Sequence, residues 1–166
     1  MKFKNYIEAL EGDHIENEFK KFETAFDSFE KIIILGNGGS NAIASHISQD
    51  YVKFKNKRSL VFSDPSMLTC FINDFGMENA NVKFLESYCT SDTLCILISS
   101  GGESKNILNC IEWCENNNVS YGILTGFDHS NTARKISTKS LFDFHVNSKN
   151  YGIVECTHQI FLHRVI

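Results

Sequence analysis

A histidine and an aspartate four residues apart, His46 and Asp50, follow directly on Gly36-Asn37-Gly38-Gly39-Ser40, a stretch that breaks an apolar run. In a helix this spacing puts imidazole and carboxylate on one face, where both reach one substrate or one metal ion. They are the side chains that move protons at neutral pH. Taken alone, such a pair is an ordinary surface or capping contact, so the neighbouring loop carries weight. Glycine lets backbone N–H groups approach a ligand closely, serine adds a hydroxyl, and a helix start adds partial positive charge. Ser99-Ser100-Gly101-Gly102-Glu103-Ser104 has the same composition after a second apolar run. Two such loops in one short chain point to phosphate or sugar-phosphate binding. The third glycine of GxGxxG is missing, and neither GxxxxGK[ST] nor GxSxG occurs, which excludes the common nucleotide loops and the nucleophile elbow.

Near the other end lie Glu155, His158 and His163. Eight helical residues rise about 12 Å and return nearly to the same face, so Glu155 and His163 share one ion only if their side chains lean together. His158 reads as a helix-surface histidine, and His14, His129 and His145 as structural.

The elements that must position these groups alternate in type. Lys31–Gly36, 59–63, 93–99, 120–126 and 142–146 read as short, β-branched strands, and 40–54, 65–71, 77–89, 104–117, 129–138 and the stretch from about 153 to 166 as helices. This order predicts a parallel sheet covered on both faces, with ligands at the carboxyl ends of its strands. Ile15, Phe19, Phe22, Phe26 and Phe29 recur every three or four residues, a stripe along a helix ending near Glu30. It suits either the chain's own sheet or another subunit.

One proline, no low-complexity tract and 42% hydrophobic residues in 166 indicate a single domain. A formal charge of −4 gives no general attraction to nucleic acid or an anionic membrane, and Lys53 to Arg58 (KFKNKR) reads as a solvated loop. No stretch approaches the roughly 20 apolar residues of a membrane span and the start is unlike a signal peptide, so a cytoplasmic protein is expected. The six cysteines contain no CxxC pair and read as reduced core residues.

With these residues in view, the chain resembles the sugar isomerase (SIS) domain and, within it, the phosphoheptose isomerases. The matching pieces are GNGGSNAIASH (36–46), NDFG (73–76), SSGGESKNI (99–107), LTG (124–126) and VECTHQIFLH (154–163), in family order. The resemblance implies a flavodoxin-like three-layer α/β sandwich with a central parallel sheet. Residues 1–30 would be an N-terminal oligomerisation helix and 31–166 the core with its C-terminal helix. It implies a homotetramer with active sites at subunit interfaces.

It further implies that Gly38, Gly39, Ser40, Ser99, Ser100 and Ser104 hold the phosphate, that Asn37 and Asp74 position the sugar, and that Asp50 and His163 are catalytic. Zinc would be held by His46, Asp50, Glu155 and His163. The activity implied is conversion of sedoheptulose 7-phosphate to a heptose 7-phosphate through an enediol, for lipopolysaccharide or capsule synthesis. Other readings are a non-catalytic SIS scaffold that binds a replication initiator protein, and an isomerase or lyase of another sugar phosphate. Three positions depart from the family: its usual glutamate is Asp50, its usual glutamine is Glu155, and a serine of the second loop is Gly101. The family's last helix normally continues past His163, whereas this sequence ends at Ile166.

Overall fold

The computed structural model describes residues 2–166. Its elements in chain order are α1 (Phe3–Glu8), α2 (Asp13–Ser28), β1 (Lys31–Leu35), α3 (Gly39–Lys55), β2 (Arg58–Val61), α4 (Pro65–Phe75), α5 (Ala80–Tyr88), β3 (Thr93–Ser99), α6 (Lys105–Asn117), β4 (Ser120–Gly126), α7 (Thr132–Ile136), β5 (Asp143–Val146) and α8 (Tyr151–His163). All five strands are parallel, in the order β2-β1-β3-β4-β5. This is the flavodoxin-like order, and it reverses between β1 and β3.

The sheet is buried on both faces because its side chains alternate between two cores. Leu94, Ile96 and Ile98 of β3 face the side covered by α2, α3 and α8, while Cys95 and Leu97 face the side covered by α5 and α6. Each residue contributes through the apolar area it removes from water, which for a fully buried leucine or isoleucine is about 1.5–3 kcal/mol. The aromatic stripe of α2 belongs to the first core. Phe22 lies 5.2 Å from the Phe161 ring of α8, and Phe161 stacks at 3.9 Å on Phe144 of β5. Ile15, Phe19, Phe22 and Phe26 are thus covered by the chain itself, and only Phe29 remains partly open. Glycine 12, at φ +129, divides the expected single N-terminal helix into α1 and α2.

Two side-chain expectations are corrected. His158 is fully buried, its ring 6.0 Å from Phe144 and its Nε2 within 3.0 Å of the Thr125 carbonyl. It shares the inward face of α8 with Val154, Phe161 and Leu162, at the three- and four-residue spacing of a buried stripe. Cys95, Cys110 and Cys114 are core residues as expected, but Cys70 and Cys156 are exposed on α4 and α8. No helix among the described residues is long and apolar enough to cross a membrane.

Candidate active site

Both glycine–serine loops leave the carboxyl ends of adjacent strands at the point where strand order reverses. The β1–α3 loop and the β3–α6 loop close a cavity of about 270 Å³ lined by Asn37, Gly38, Gly39, Ser40, Ser99, Ser100, Gly101 and Ser104. Glycine 38 takes φ +53, a conformation that costs most residues strain, and it turns the chain into α3. The N–H groups of Ser40 and Asn41 turn back to the Asn37 and Gly38 carbonyls, and those of Gly38 and Gly39 are left to border the cavity. Ser99 Oγ donates to Ser104 Oγ at 3.3 Å, whereas the buried Ser100 hydroxyl has no partner. An unpaired buried hydroxyl costs about 1–3 kcal/mol, which a bound anion would recover. No lysine or arginine lines the cavity, so backbone and hydroxyl groups do the binding.

The two loops are tied to each other by a residue that the sequence did not single out. Asn37 Nδ2 donates to Asn106 Oδ1 at 2.9 Å and Asn106 Nδ2 donates to Asn37 Oδ1 at 2.8 Å. This reciprocal amide pair occupies one N–H and one lone pair of Asn37, which still lines the cavity with its remaining amide hydrogen and lone pair. Asn106 is buried at the start of α6, and its only local signal is its place just after the second loop.

The acid–base residues gather further along α3, where α8 packs against it. Asp50 Oδ2 stands 3.5 Å from His46 Nε2 and 3.3 Å from His163 Nε2, with the imidazole rings 5.1 Å apart. Gln49 Nε2 lies 3.2 Å from His46 Nδ1. Tyr51, next to Asp50, donates its hydroxyl to the carbonyl of Leu162, next to His163, at 2.8 Å. Fully buried against Phe26, Tyr51 fixes how α3 and α8 sit against each other, and burial raises its pKa so that it stays a neutral donor. Its role was invisible before folding, because the sequence shows only an aromatic residue on a helix.

The three donor atoms of His46, Asp50 and His163 lie within 4.8 Å of one another. A tetrahedral zinc with bonds of about 2.0–2.1 Å has donor–donor edges of about 3.3–3.4 Å. The two carboxylate–imidazole separations match that edge, so this N/O donor set fits a small divalent metal with one position left for water or substrate.

Glu155 and Asp74 do not join this cluster. Glu155 sits two turns before His163 on α8, and its carboxylate lies over Gly39, where an added Cβ would meet both oxygens at 2.5 Å. It lines the phosphate-type cavity together with Tyr151. The rise along α8 decides this, since eight residues separate the two side chains by about 12 Å. Asp74 is exposed on the last turn of α4, accepting from Asn73 Nδ2 at 2.9 Å and from Cys70 Sγ at 3.6 Å. It does not line the cavity of its own chain.

A parallel 2-1-3-4-5 sandwich with paired glycine–serine loops at its switch point defines a sugar isomerase domain. The phosphoheptose isomerase of Fusobacterium nucleatum is 29% identical over 164 residues, 96% of this chain and 82% of that protein. That of Buchnera aphidicola is 32% identical over 149 residues, 86% of this chain and 74% of that protein. The chain belongs to the phosphoheptose isomerase family. Among solved structures, the phosphoheptose isomerase of Neisseria gonorrhoeae superposes with a TM-score of 0.88 over 98% of this chain and 91% of that one, at 20% identity, which establishes the shared fold. No protein-family model matches the chain.

Proposed function

We propose that this protein interconverts sedoheptulose 7-phosphate and D-glycero-D-manno-heptose 7-phosphate, supplying heptose for lipopolysaccharide or capsule. The observation that carries the reading is the pairing, on α3, of a cradle of hydroxyl and backbone donors at its start with a carboxylate flanked by two imidazoles further along. Asp50 lies ten residues beyond Ser40, about 15 Å of helix rise. Cradle and cluster of one chain therefore share a substrate only if its carbon chain is long; otherwise another subunit supplies the cluster.

In this reading Ser40, Ser99, Ser100 and Ser104 hold the phosphate, with the N–H groups of Gly38 and Gly39. With no metal bound, Asp50 takes a proton from C1 of the ketose while His163 gives one to the C2 carbonyl oxygen. The resulting enediol is reprotonated at C2, and the O1 proton departs as the aldehyde forms. Asp50 is one methylene shorter than the family's glutamate, so the closeness of both imidazoles and the Tyr51–Leu162 bond matter to its placement. In the alternative, zinc-bound form of the site, His46, Asp50 and His163 would be the ligands, and Asp50 and His163 would hold the metal instead of moving protons. Zinc there would polarise the substrate oxygens and stabilise developing negative charge.

We also propose a cytoplasmic homotetramer, folded as one unit over residues 1–166. The stripe of α2 is committed to its own core, so the oligomerisation role falls to side chains left open, Phe3 and Ile7 of α1 and Ile160 of α8. An interface there would let the cradle of one subunit work with the cluster of another. Mixing Ser100→Ala and Asp50→Asn chains tests this: activity recovered in mixed oligomers means a shared site.

The deciding experiment is NMR of sedoheptulose 7-phosphate in D2O with purified protein, with added zinc and with a chelator. Aldose carrying deuterium at C2 is the expected result, and its loss with chelator would assign the metal to the reaction. Correctly assembled protein giving neither product nor exchange would overturn the proposal in favour of another sugar phosphate or a non-catalytic scaffold.

A further inference from the structure

Four cysteines that the proposed reaction does not use lie together on the α5/α6 side of the sheet. Cys89 follows the last turn of α5, Cys95 points from β3 into that core, and Cys110 and Cys114 come from α6. The Sγ atoms of Cys89 and Cys95 are 3.6 Å apart, and Cys114 also lies next to Cys95. Cys89 is only half-buried. It forms part of the wall of a second cavity, of about 370 Å³, with Glu86, Thr90 and Trp113. Cys95 is fully enclosed behind it. A small solute therefore reaches one sulfur of the pair and not the other.

We propose that Cys89 and Cys95 form a peroxide-oxidisable dithiol, with Cys89 as the attacking and Cys95 as the resolving thiol. The Cys89 thiolate attacks the O–O bond of hydrogen peroxide, takes one oxygen to become a sulfenic acid, and releases hydroxide, which leaves as water. Cys95 then attacks the sulfenic sulfur. The S–S bond forms, the S–O bond breaks, and the oxygen leaves as a second water with the Cys95 proton. The two thiols lose two electrons and the peroxide gains them. An S–S bond of about 2.05 Å requires the two sulfurs to close from their present 3.6 Å contact.

The surroundings favour this order of attack. The Cys95 thiol hydrogen-bonded to the Cys89 sulfur holds the Cys89 pKa below the ordinary thiol range against the opposing effect of burial, and the Lys31 ammonium adds to the lowering. Lys31 is anchored there by donating to the carbonyl of Tyr88, the residue before Cys89. Cys95 is shifted upward by its contacts with Cys114 and Cys89 and by burial, which keeps it protonated until the sulfenic acid appears. The exposed Cys70 is also raised, by the neighbouring Asp74 carboxylate, so exposure alone does not select the reactive thiol.

The test is peptide mapping of the full native chain after hydrogen peroxide, with remaining thiols alkylated on denaturation. Trypsin releases residues 84–105 as one peptide whose only cysteines are Cys89 and Cys95. The expected product is that peptide lighter by two hydrogens, unalkylated, and restored by dithiothreitol. The Cys95→Ala chain should instead gain two oxygens at Cys89, having no resolving thiol. A chain carrying Cys70→Ser and Cys156→Ser should behave like the parent. Oxidation of Cys70 or Cys156 with Cys89 and Cys95 still alkylated would overturn the proposal. So would a bond joining this peptide to the one that holds Cys114, or no oxidation at all.

Discussion

The cradle and the imidazole–carboxylate cluster share α3 but are built from different materials. At the helix start the ligand-facing groups are backbone N–H groups and hydroxyls of two contiguous loops, fixed by glycine conformations and by the Asn37–Asn106 amide pair. Further along, the groups are three side chains from two helices, held in register by a tyrosine bonded to a carbonyl of the other helix. The cradle thus offers backbone and hydroxyl donors, with the Glu155 carboxylate as the charged group in its wall, while the cluster carries groups that exchange protons. Damage to the first should appear in KM and damage to the second in kcat.

The largest effect is expected from Asp50→Asn, which keeps shape and removes the base. A loss of about 10²–10⁴ in kcat, with KM little changed, is the expected outcome of steady-state kinetics. A comparable rise in KM instead would place Asp50 in binding. Ser100→Ala is the counterpart at the cradle. A hydrogen bond to a charged group contributes about 1.5–3 kcal/mol, so KM should rise about 10-fold or more with kcat nearly preserved.

The buried His158 gives a pH signature independent of either site. Its Nε2–H donates to the Thr125 carbonyl and its Nδ1 has no partner, so the fold holds the neutral ring. Burial pushes its pKa down to about 4, partly opposed by the Thr125 bond. The unfolded chain binds this proton more tightly, so stability is full above about pH 6.5 and falls as pH drops toward 4. The loss available from this residue is about 3 kcal/mol, read as a falling urea midpoint between pH 7 and pH 4. Substitution by Gln should flatten that slope, and an unchanged slope would mean that other groups set it.

Tyr51→Phe removes the strut between α3 and α8 and leaves the Leu162 carbonyl unpaired, at a cost of about 1–3 kcal/mol in denaturant titration. It should also lower kcat, because Asp50 and His163 flank that bond, and leave KM unaffected. The smallest change is expected from Glu155→Gln. The carboxylate over Gly39 repels an incoming phosphate, so the amide should lower KM by a few-fold and weaken its dependence on salt. An increase in KM would show that Glu155 assists the substrate.

Much of this arrangement was legible in the linear chain. Five apolar runs, each ended by a polar or glycine-rich turn, located the strands, and the spacing of His46 and Asp50 located half the cluster. The rest depended on information that a local window does not hold. The break at Gly12 turned on one backbone angle, and the inward position of His158 was present in the spacing 154, 158, 161, 162, where the polar identity of histidine masked it. Glu155 and His163 were grouped because both match the family's metal-binding positions, but rise along α8 carried one to the cradle and the other to Asp50.

By itself, then, the sequence determined the order of elements, the parallel sheet and the cradle. These rest on short-range patterns and on glycine and serine acting through their own backbone. Only the tertiary structure decided that α2 covers its own sheet, that Asn37 braces Asn106, and that Asp50 lies between two imidazoles. It also brought Cys89 against Cys95 by folding the end of α5 onto β3. Each of those contacts joins separate elements or opposite ends of a turn, and packing of the two cores on one sheet fixes their distance.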